Sequence, residues 1–355
     1  MHKVVIQRAD YENCREAIDR IFASFALGVK GKKVLVKPNA LRASDPEQGI
    51  VTHPAVVLAI VQKLEELDAA AIIVGDNPGM RYYGANEETF RQTGLMKAAK
   101  GYYRNIGNDG VEVNLVSDLV DRLTVSQAVL EADVVISVPK FKTHGLTIAT
   151  GAIKNSYGII PGALKANLHM KAGNALRFSE LLVDVFSVKI PDLFIVDAVV
   201  GMEGNGPVST ELRHIGQILA SDNAVALDAT IVQMMGLDPR TVPFLEIAKQ
   251  HGLGDYNMTS IDIVGDLAAI PHFKVPPWVE KASAIPGGQK ERLLKLSRSR
   301  PHADEKLCTG CQTCVEHCPA EALSMVAGLP SVDDERCIAC FCCQEICPEM
   351  AITLQ

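Results

Sequence analysis

Nine of the ten cysteines lie between residues 308 and 347, and their spacing is the feature of the sequence that points most directly to chemistry. Two equivalent runs of four cysteines, each followed by proline, are Cys308, Cys311, Cys314, Cys318, Pro319 and Cys337, Cys340, Cys343, Cys347, Pro348. This spacing is typical of bacterial ferredoxins with two [4Fe-4S] clusters, in which the fourth thiolate of each run reaches the other cluster. The predicted ligands are Cys308, Cys311, Cys314 and Cys347 for cluster one, and Cys337, Cys340, Cys343 and Cys318 for cluster two.

Structural zinc is the alternative for these cysteines, because paired Cys-x2-Cys motifs also suit tetrahedral sites. Two compressed runs, each closed by proline, fit zinc poorly and fit iron–sulfur clusters well. Cys342 stands directly beside a predicted ligand, so we expect it not to bind a cluster. Cys14 lies far from both runs, and we expect a buried helix residue there. The C-terminal part is therefore predicted to transfer single electrons.

A second chemical feature is a stretch of lysines without acidic residues. No Asp or Glu lies between residues 140 and 171, whereas five lysines do: Lys140, Lys142, Lys154, Lys165 and Lys171. A solvated helix face normally mixes both signs of charge, whereas a cleft for an anion does not. Glycines at 145, 151, 158 and 162 would let backbone amides approach a ligand closely. The stretch predicts a site for a phosphate or a carboxylate.

The other candidate residues follow predicted strands, where open α/β sheets place their ligands. Residues expected to bind the anion or orient it are Lys37, Asn39, Thr52, Asp76, Lys140, Lys142, Lys154, Asn155 and Asn205. Residues expected to take part in proton transfer or polar binding are His144 and His169 as donors and Asp197 and Glu203 as acceptors. FMN is an attractive anionic cofactor, because it links one-electron and two-electron chemistry. A metal site on His144, His169 and Asp197 is less favoured, since no helical His-x3-His pair is present.

Alternating β-rich and helix-period segments must position these residues. The predicted strands are Val4–Gln7, Val34–Lys37, Ala71–Gly75, Val111–Val116, Val134–Val138, Leu193–Val196, Ile218–Ala220 and Ile261–Val264. The predicted helices are Glu12–Phe25, Ala55–Leu67, Glu87–Ala99, Leu176–Val188 and Ala224–Met235. Such alternation predicts an α/β fold with a mostly parallel sheet covered by helices.

Three domains are expected: an α/β ligand-binding domain at 1–267, a Pro-rich basic linker at 268–303, and a small α+β ferredoxin-like domain at 304–355. Seven bases and two acids lie between residues 271 and 300, whereas residues 306–355 hold seven acids and two bases. The linker is therefore expected to lie across the acidic module, with a short helix near Lys290–Leu296.

The whole chain carries a formal charge of -7, which argues against a dedicated nucleic-acid binder. No apolar run is long enough for a membrane span, and the first residues lack the apolar core of a secretory signal. A cytoplasmic location is expected, and a homo-oligomer is left open.

Several segments of the large domain resemble the signature blocks of one prokaryotic family. These segments are residues 34–39, 137–144, 151–158, 197–207 and 218–229. The sequence is similar there to the family called domain of unknown function 362, or iron–sulfur centre proteins, over about residues 1–265. The resemblance implies a fold distantly like the amino-terminal domain of nickel-pincer lactate racemases, a site for an anionic cofactor, and a two-cluster module as a common companion.

Two functions from different classes follow. The first is an iron–sulfur oxidoreductase that passes electrons between two clusters and an anionic cofactor or substrate in the α/β domain, with a redox protein as partner. The alternative is a non-catalytic electron carrier whose large domain docks partners or senses a metabolite. Nucleic-acid regulation through the clusters is disfavoured by the acidic charge.

Overall fold

A mixed sheet of nine strands lies at the centre of the large domain. The computed structural model describes residues 1–80, 84–279 and 299–354. The strands that precede residue 268 are β1 (His2–Arg8), β2 (Lys33–Pro38), β3 (Ala71–Val74), β4 (Gly110–Asn114), β5 (Arg122–Ser126), β6 (Val134–Val138), β7 (Lys140–His144), β8 (Ile148–Thr150), β9 (Leu193–Met202), β10 (Leu212–Ser221) and β11 (Ile261–Val264). The strands β4 and β5 pair with each other in a separate hairpin.

The sheet order is β11-β1-β10-β9-β6-β2-β3, and β7 joins it through β9 while β8 pairs with β7. Parallel pairing links β2 to β3 and β6, β9 to β6 and β7, and β1 to β11. The strand β10 is antiparallel to both β1 and β9, and β8 is antiparallel to β7. The prediction of a mostly parallel sheet is confirmed, with an antiparallel insertion at β10.

Helices cover both faces of this sheet. They are α1 (Cys14–Ser24), α2 (Pro54–Glu66), α3 (Ala85–Gln92), α4 (Leu95–Ala98), α5 (Gln127–Glu131), α6 (Ala152–Asn155), α7 (Gly162–Ala172), α8 (Ala175–Val188), α9 (Ala224–Met234) and α10 (Pro243–Gln250). Along β2, Val34 and Val36 pack into the core formed with α1 and α2, whereas Leu35 packs into the core formed with α8 and α9. Successive side chains of a strand point to opposite faces, so a continuously apolar strand is buried on both sides.

Three predicted elements differ from the structure. The helix predicted over 87–99 is broken between α3 and α4, where Gly94 has φ 75. The strand predicted over 111–116 forms β4, which lies outside the main sheet. Residues 140–144 were expected to be a polar loop, but they form the buried strand β7. The polar side chains of this strand do not resemble those of a buried strand in the sequence. They can be buried because Lys140, Lys142 and His144 have partners inside the fold.

The C-terminal module contains two short helices and two small antiparallel sheets. Its elements are β12 (Pro301–Ala303), α11 (Thr313–Glu316), β13 (Leu323–Val326), β14 (Leu329–Val332), α12 (Cys342–Ile346) and β15 (Ile352–Leu354). The strand β12 pairs with β15, and β13 pairs with β14. Gln312 and Phe341 both have positive φ immediately before a helix, so the two cysteine loops bend in the same way. A small α+β module is observed, as predicted.

The predicted linker is described only at its two ends. Its first part packs on the large domain, where Trp278 Nε1 donates a hydrogen bond of 2.7 Å to the Gly145 carbonyl. At its other end, Arg300 Nε lies 3.0 Å from Asp334 Oδ1 of the acidic module. The helix predicted near Lys290–Leu296 lies outside the described residues, and the path of the linker across the module stays a prediction.

The C-terminal module packs against the large domain at the carboxyl end of β7, beside His144 and Gly145. Phe341 is buried in the core of the large domain, and Met350 packs on the small apolar cluster that contains Ile50 and Met202. Gln344 Nε2 donates a hydrogen bond of 2.6 Å to the Asn205 carbonyl. Two domains predicted as separate units thus share a core. Among the described residues, no helix is long and apolar enough to cross a bilayer.

Candidate functional site

The cysteines of the two runs lie in two neighbouring groups, and their assignment as crossed cluster ligands stays a prediction. Cys308, Cys311, Cys314 and Cys347 all line one cavity of about 20 Å³. The thiol of Cys337 interacts electrostatically with Cys340 and Cys318, and the thiol of Cys343 interacts with these three cysteines and also with Cys314. Four thiol donors in each group fit a [4Fe-4S] cluster. The fourth cysteine of each run therefore lies with the first three of the other run.

Backbone amides support the two crossing cysteines in equivalent ways. The Ala322 amide donates to Cys318 Sγ at 3.3 Å, and the Ala351 amide donates to Cys347 Sγ at 3.3 Å. Hydrogen bonds of this kind stabilise a thiolate and raise the reduction potential of a cluster. The segment that follows each run thus donates a hydrogen bond to the cysteine that is predicted to reach the other run's cluster.

A second cavity, of about 80 Å³, lies between the large domain and α12. We call it the interdomain cavity. The large domain contributes Asn39, Ala40, Leu41, Asp76, Asn77, Gly79, Lys154, Asn155, Tyr157, Gly158, Lys165, Ala166 and His169 to its wall. The C-terminal module contributes His317, Cys342, Glu345 and Ile346. Since Cys342 lies between Cys340 and Cys343 in the sequence, the cavity is next to cluster two.

Two lysines line the interdomain cavity. Lys154 Nζ lies 5.0 Å from the ring centroid of Tyr157 and 5.9 Å from that of Phe178. Burial lowers its pKa, although Glu345 acts in the opposite direction. Lys165 Nζ donates to the Asn77 carbonyl, and burial lowers its pKa to about 7. The cavity therefore holds two buried amines, one above an aromatic surface and one whose pKa is lowered to about 7.

The other predicted lysines do not line this cavity. Lys37 is paired with Asp76 at 2.7 Å, and Lys140 with Asp197 at 2.8 Å. Lys142 Nζ donates to the Ile50 carbonyl at 2.6 Å, and burial lowers its pKa to about 7. The prediction of a single cleft built from Lys37, Lys140, Lys142 and Lys154 is therefore not met. The acids missing from residues 140–171 come from other segments of the chain.

The two predicted histidines are buried and uncharged. Leu146 N–H donates to His144 Nδ1 at 3.1 Å, so the ring proton is on Nε2, which lies 3.2 Å from Glu345 Oε1. Burial lowers the pKa of His144 to about 4. His169 stacks on Phe178 with ring centroids 4.2 Å apart, and burial lowers its pKa to about 3. At neutral pH, each ring can donate one N–H hydrogen bond but carries no acidic imidazolium proton.

Glu345 faces these groups from the C-terminal module. Its burial is the largest effect and opposes ionisation, but the contact with His144 and the electrostatic effects of His144, Lys154 and His169 together lower the pKa to about 2. The carboxylate is therefore charged, and its nearby cations include Lys154. This contact joins the module to β7 at the wall of the interdomain cavity.

Four other predicted residues have structural partners outside the cavity. Asp197 accepts from Lys140, from Tyr11 OH at 3.2 Å and from the amide of His53. Glu203 accepts two hydrogen bonds of 3.1 Å from Arg213.

Thr52 is predicted to bind or orient the anion, but its hydroxyl donates to the Val138 carbonyl at 2.5 Å. His53 caps α2, since its Nδ1 accepts from the Ala55 amide. Asn205 binds Gln344 of the C-terminal module through its carbonyl. The side chains of Thr52 and His53 thus hold strands and loops together, whereas Asn205 joins the two domains through its backbone carbonyl.

The predicted glycines are approached by protein side chains. A Cβ at Gly158 would lie 2.2 Å from Asp76 Oδ1 and 2.5 Å from Lys37 Nζ. A Cβ at Gly151 would lie 2.0 Å from Asp228 Oδ1, which accepts the Ala152 amide at 2.6 Å. Burial raises the pKa of Asp228 to about 7. The glycines therefore make room for buried carboxylates, where the sequence predicted room for a ligand.

Five of the candidate residues predicted from the sequence line the interdomain cavity: Asn39, Asp76, Lys154, Asn155 and His169. Sequence reasoning missed Tyr157, Lys165, Cys342 and Glu345 as cavity residues. The acid-free stretch already contained Lys165, which could have been assigned from that signal. Nothing in the local sequence shows that Glu345 and Cys342 meet a segment of the large domain, because that contact depends on domain packing.

Comparison with known proteins extends this description. The chain is 33% identical over 250 residues to the thylakoid-associated protein sll1697 of Synechocystis sp., covering 70% of this chain and 76% of the relative. A protein of known structure from Thermotoga maritima is 14% identical with a TM-score of 0.39, covering 58% of this chain and 54% of that one. The lactate racemase apoprotein of Thermoanaerobacterium thermosaccharolyticum is 10% identical with a TM-score of 0.40, covering 61% and 53%. The chain thus spans about half the length of these two structures.

Family patterns match both parts of the chain. The pattern described as a 4Fe-4S dicluster domain matches residues 300–348, which contain both cysteine runs. The pattern described as Domain of unknown function (DUF362) matches residues 34–233, which contain β2 to β10 and the large-domain wall of the interdomain cavity. The chain therefore belongs to the DUF362 family and has a C-terminal 4Fe-4S dicluster domain that binds iron–sulfur clusters.

Proposed function

We propose that the protein is an iron–sulfur oxidoreductase in which electrons pass between two [4Fe-4S] clusters and a small anionic ligand in the interdomain cavity. When bound, the clusters supply single-electron transfer. The cysteine sets named above are the proposed ligands. The observation that carries the proposal is the composition of one cavity wall, where Lys154 and Lys165 face Cys342, the neighbour of two proposed ligands of cluster two.

The size of the cavity favours a small ligand over FMN. Its volume of about 80 Å³ holds roughly five to eight water molecules, since one water needs about 10–15 Å³ of such space. A carboxylate or a phosphate group fits this space, but a flavin ring with its phosphate chain does not. The proposal therefore keeps the anionic ligand and leaves FMN out.

The residues of the cavity would make different contributions to ligand binding. Lys154 and Lys165 supply positive charge, and charge-assisted hydrogen bonds of this kind are roughly twice as strong as neutral ones. Asn39 Oδ1 is buried without a hydrogen-bond partner among the described residues, so it is available to accept from a ligand that carries a hydroxyl, such as hydrogen phosphate. Because its pKa is about 7, Lys165 is better suited than the two neutral histidines to donate a proton at neutral pH.

A redox partner protein would exchange electrons near cluster one. Cys311 is exposed there, whereas Cys343 of cluster two is buried. Leu307 and Val326, beside this loop and in the following hairpin, are 51% and 58% exposed. Electron exchange falls steeply with distance, so the exposed cluster loop is the suitable entry. A cytoplasmic location stays a prediction. The relative from Synechocystis sp. is named as a thylakoid-associated protein.

The electron-carrier alternative is favoured by a specific observation. Lys37 and Lys140 are fully occupied in buried ion pairs, as expected of a structural large domain. Buried pairs of this kind hold elements in register and need no ligand. The two functions are separated by whether the interdomain cavity binds an anion at all.

Replacing Lys154 or Lys165 by methionine should weaken anion binding about ten- to a hundredfold, because each variant removes one charge-assisted contact. The probes are phosphate, sulfate and acetate, titrated calorimetrically into anaerobic protein at fixed ionic strength. The matched control is Lys249→Met, which changes a lysine paired with Asp255 on the surface. Equal affinity in both cavity variants and wild type would return the large domain to a docking role.

Anion affinity should also depend on pH. The pKa of Lys165 is lowered by burial to about 7, so its ammonium form is present below pH 7 and is lost as the pH rises through 7. Affinity for sulfate or acetate, whose own charges are constant between pH 6 and 9, should therefore fall over this range. The fall should be absent in Lys165→Met. An equal pH dependence in the variant would assign the titration to another group.

A further inference from the structure

We propose that Arg42 is a positioning residue for cluster one, whose reduction potential it raises from a buried position at the domain interface. The proposal rests on the assignment of Cys347 to cluster one. It concerns a residue of the large domain that neither the interdomain cavity nor the sequence candidates include.

The first observation is that the guanidinium of Arg42 is buried with unused donors. Arg42 is only 6% exposed. Nη1 donates to the Ala43 carbonyl at 3.2 Å, whereas Nε and Nη2 are buried without a hydrogen-bond partner in the described part of the chain. Leaving charged donors unpaired in the interior costs several kcal/mol, so such a group is expected to have an acceptor when the protein is complete.

The second observation is the surroundings of this guanidinium. Cys347 and Glu349 of the C-terminal module both act electrostatically on this guanidinium. The adjacent residue Leu41 packs, together with Met350, on one small apolar cluster. Cys347 in turn lines the cavity formed by the other cluster-one cysteines. Arg42 therefore lies on the side of cluster one that faces the large domain.

The chemistry of a cluster supplies the missing acceptor. A [4Fe-4S] cluster with four thiolates carries net negative charge, and its sulfur atoms accept hydrogen bonds. Reduction adds one electron, so a fixed positive charge and N–H donors nearby stabilise the reduced form more than the oxidised form. A buried arginine keeps its charge at all relevant pH values. Arg42 would thus make cluster one easier to reduce.

The test is an EPR-monitored redox titration of full-length protein with both clusters assembled, comparing wild type, Arg42→Met and Arg42→Lys. In Arg42→Met we expect at least a tenfold loss in the equilibrium constant for reduction of cluster one, which corresponds to a fall of about 59 mV for one electron. Arg42→Lys keeps the charge, so a smaller fall is expected. The wave of each cluster is assigned with Cys311→Ser and Cys340→Ser, and Arg240→Met on the surface is the control.

The outcomes are distinguishable. A fall confined to cluster one, with unchanged iron content, supports the proposal. An unchanged cluster-one potential in Arg42→Met, or a shift only in the cluster-two wave, overturns it. If Arg42→Met fails to assemble cluster one, Arg42→Lys decides the question in the same way. Failure of anion binding in the interdomain cavity would leave this result unaffected, because the titration needs no ligand.

Discussion

Replacing Gly158 by alanine is expected to destabilise the protein by roughly 3–5 kcal/mol, which is the cost of breaking a buried ion pair. The new Cβ would lie 2.2 Å from Asp76 Oδ1 and 2.5 Å from Lys37 Nζ, and both side chains are almost completely buried. The two atoms lie 2.7 Å apart in an ion pair, so making room for the methyl group separates the pair. The measurement is the free energy of unfolding from urea denaturation of wild type and variant.

The matched control is Gly28→Ala, because no atom lies within 4 Å of a Cβ at that position. This variant should unfold at the urea concentration of wild type or slightly above it, since alanine reduces the entropy of the unfolded chain. A loss of less than about 1 kcal/mol in Gly158→Ala would mean that the Lys37–Asp76 pair can shift freely. The contacts of Gly158 with Asp76 and Lys37 would then not be the reason that glycine is needed at this position.

The second large effect is expected from Cys318→Ala. The crossed arrangement makes Cys318 the fourth ligand of cluster two, so its loss should damage the cluster held by the other run and leave cluster one in place. Wild type should contain about eight irons and eight sulfides per chain, and the variant about four of each. The measurement is iron and sulfide analysis of anaerobically purified protein, with EPR of the reduced state.

Cys342→Ser is the comparison for this experiment. Cys342 lines the interdomain cavity and is not needed for the ligand spacing, so the variant should keep all of its iron. Loss of half of the iron in Cys342→Ser would show that the ligand register is shifted by one residue. Stoichiometric zinc in wild type would contradict the cluster assignment itself.

The sequence predicts the parts of this molecule whose signals are local. The cluster ligands lie within two short runs, so spacing alone is informative. Strands such as β2 and β6 are buried on both faces and therefore appear as continuous apolar segments. The α/β class and the cluster cysteines could both be predicted for these reasons.

The candidate site is built from contacts between distant segments of the chain, which local sequence patterns do not predict. The lysine stretch lacks acids in sequence, yet Lys140 meets Asp197 of β9, and Lys154 is near Glu345 of α12. The strand β7 looks like a polar loop, because its lysines are buried only once their partners are in place. An interdomain cavity exists only after two domains have packed together. Such a site cannot be derived from the composition of either domain.

The central claim is that an anion binds in the interdomain cavity beside cluster two. The direct measurement is the EPR spectrum of dithionite-reduced protein during titration with phosphate, sulfate and acetate. At least one of these anions should change the cluster-two signal in a saturable way in wild type, and the change should be absent in Lys154→Met with unchanged iron content. A wild-type spectrum that stays the same at all concentrations of all three anions would contradict the claim.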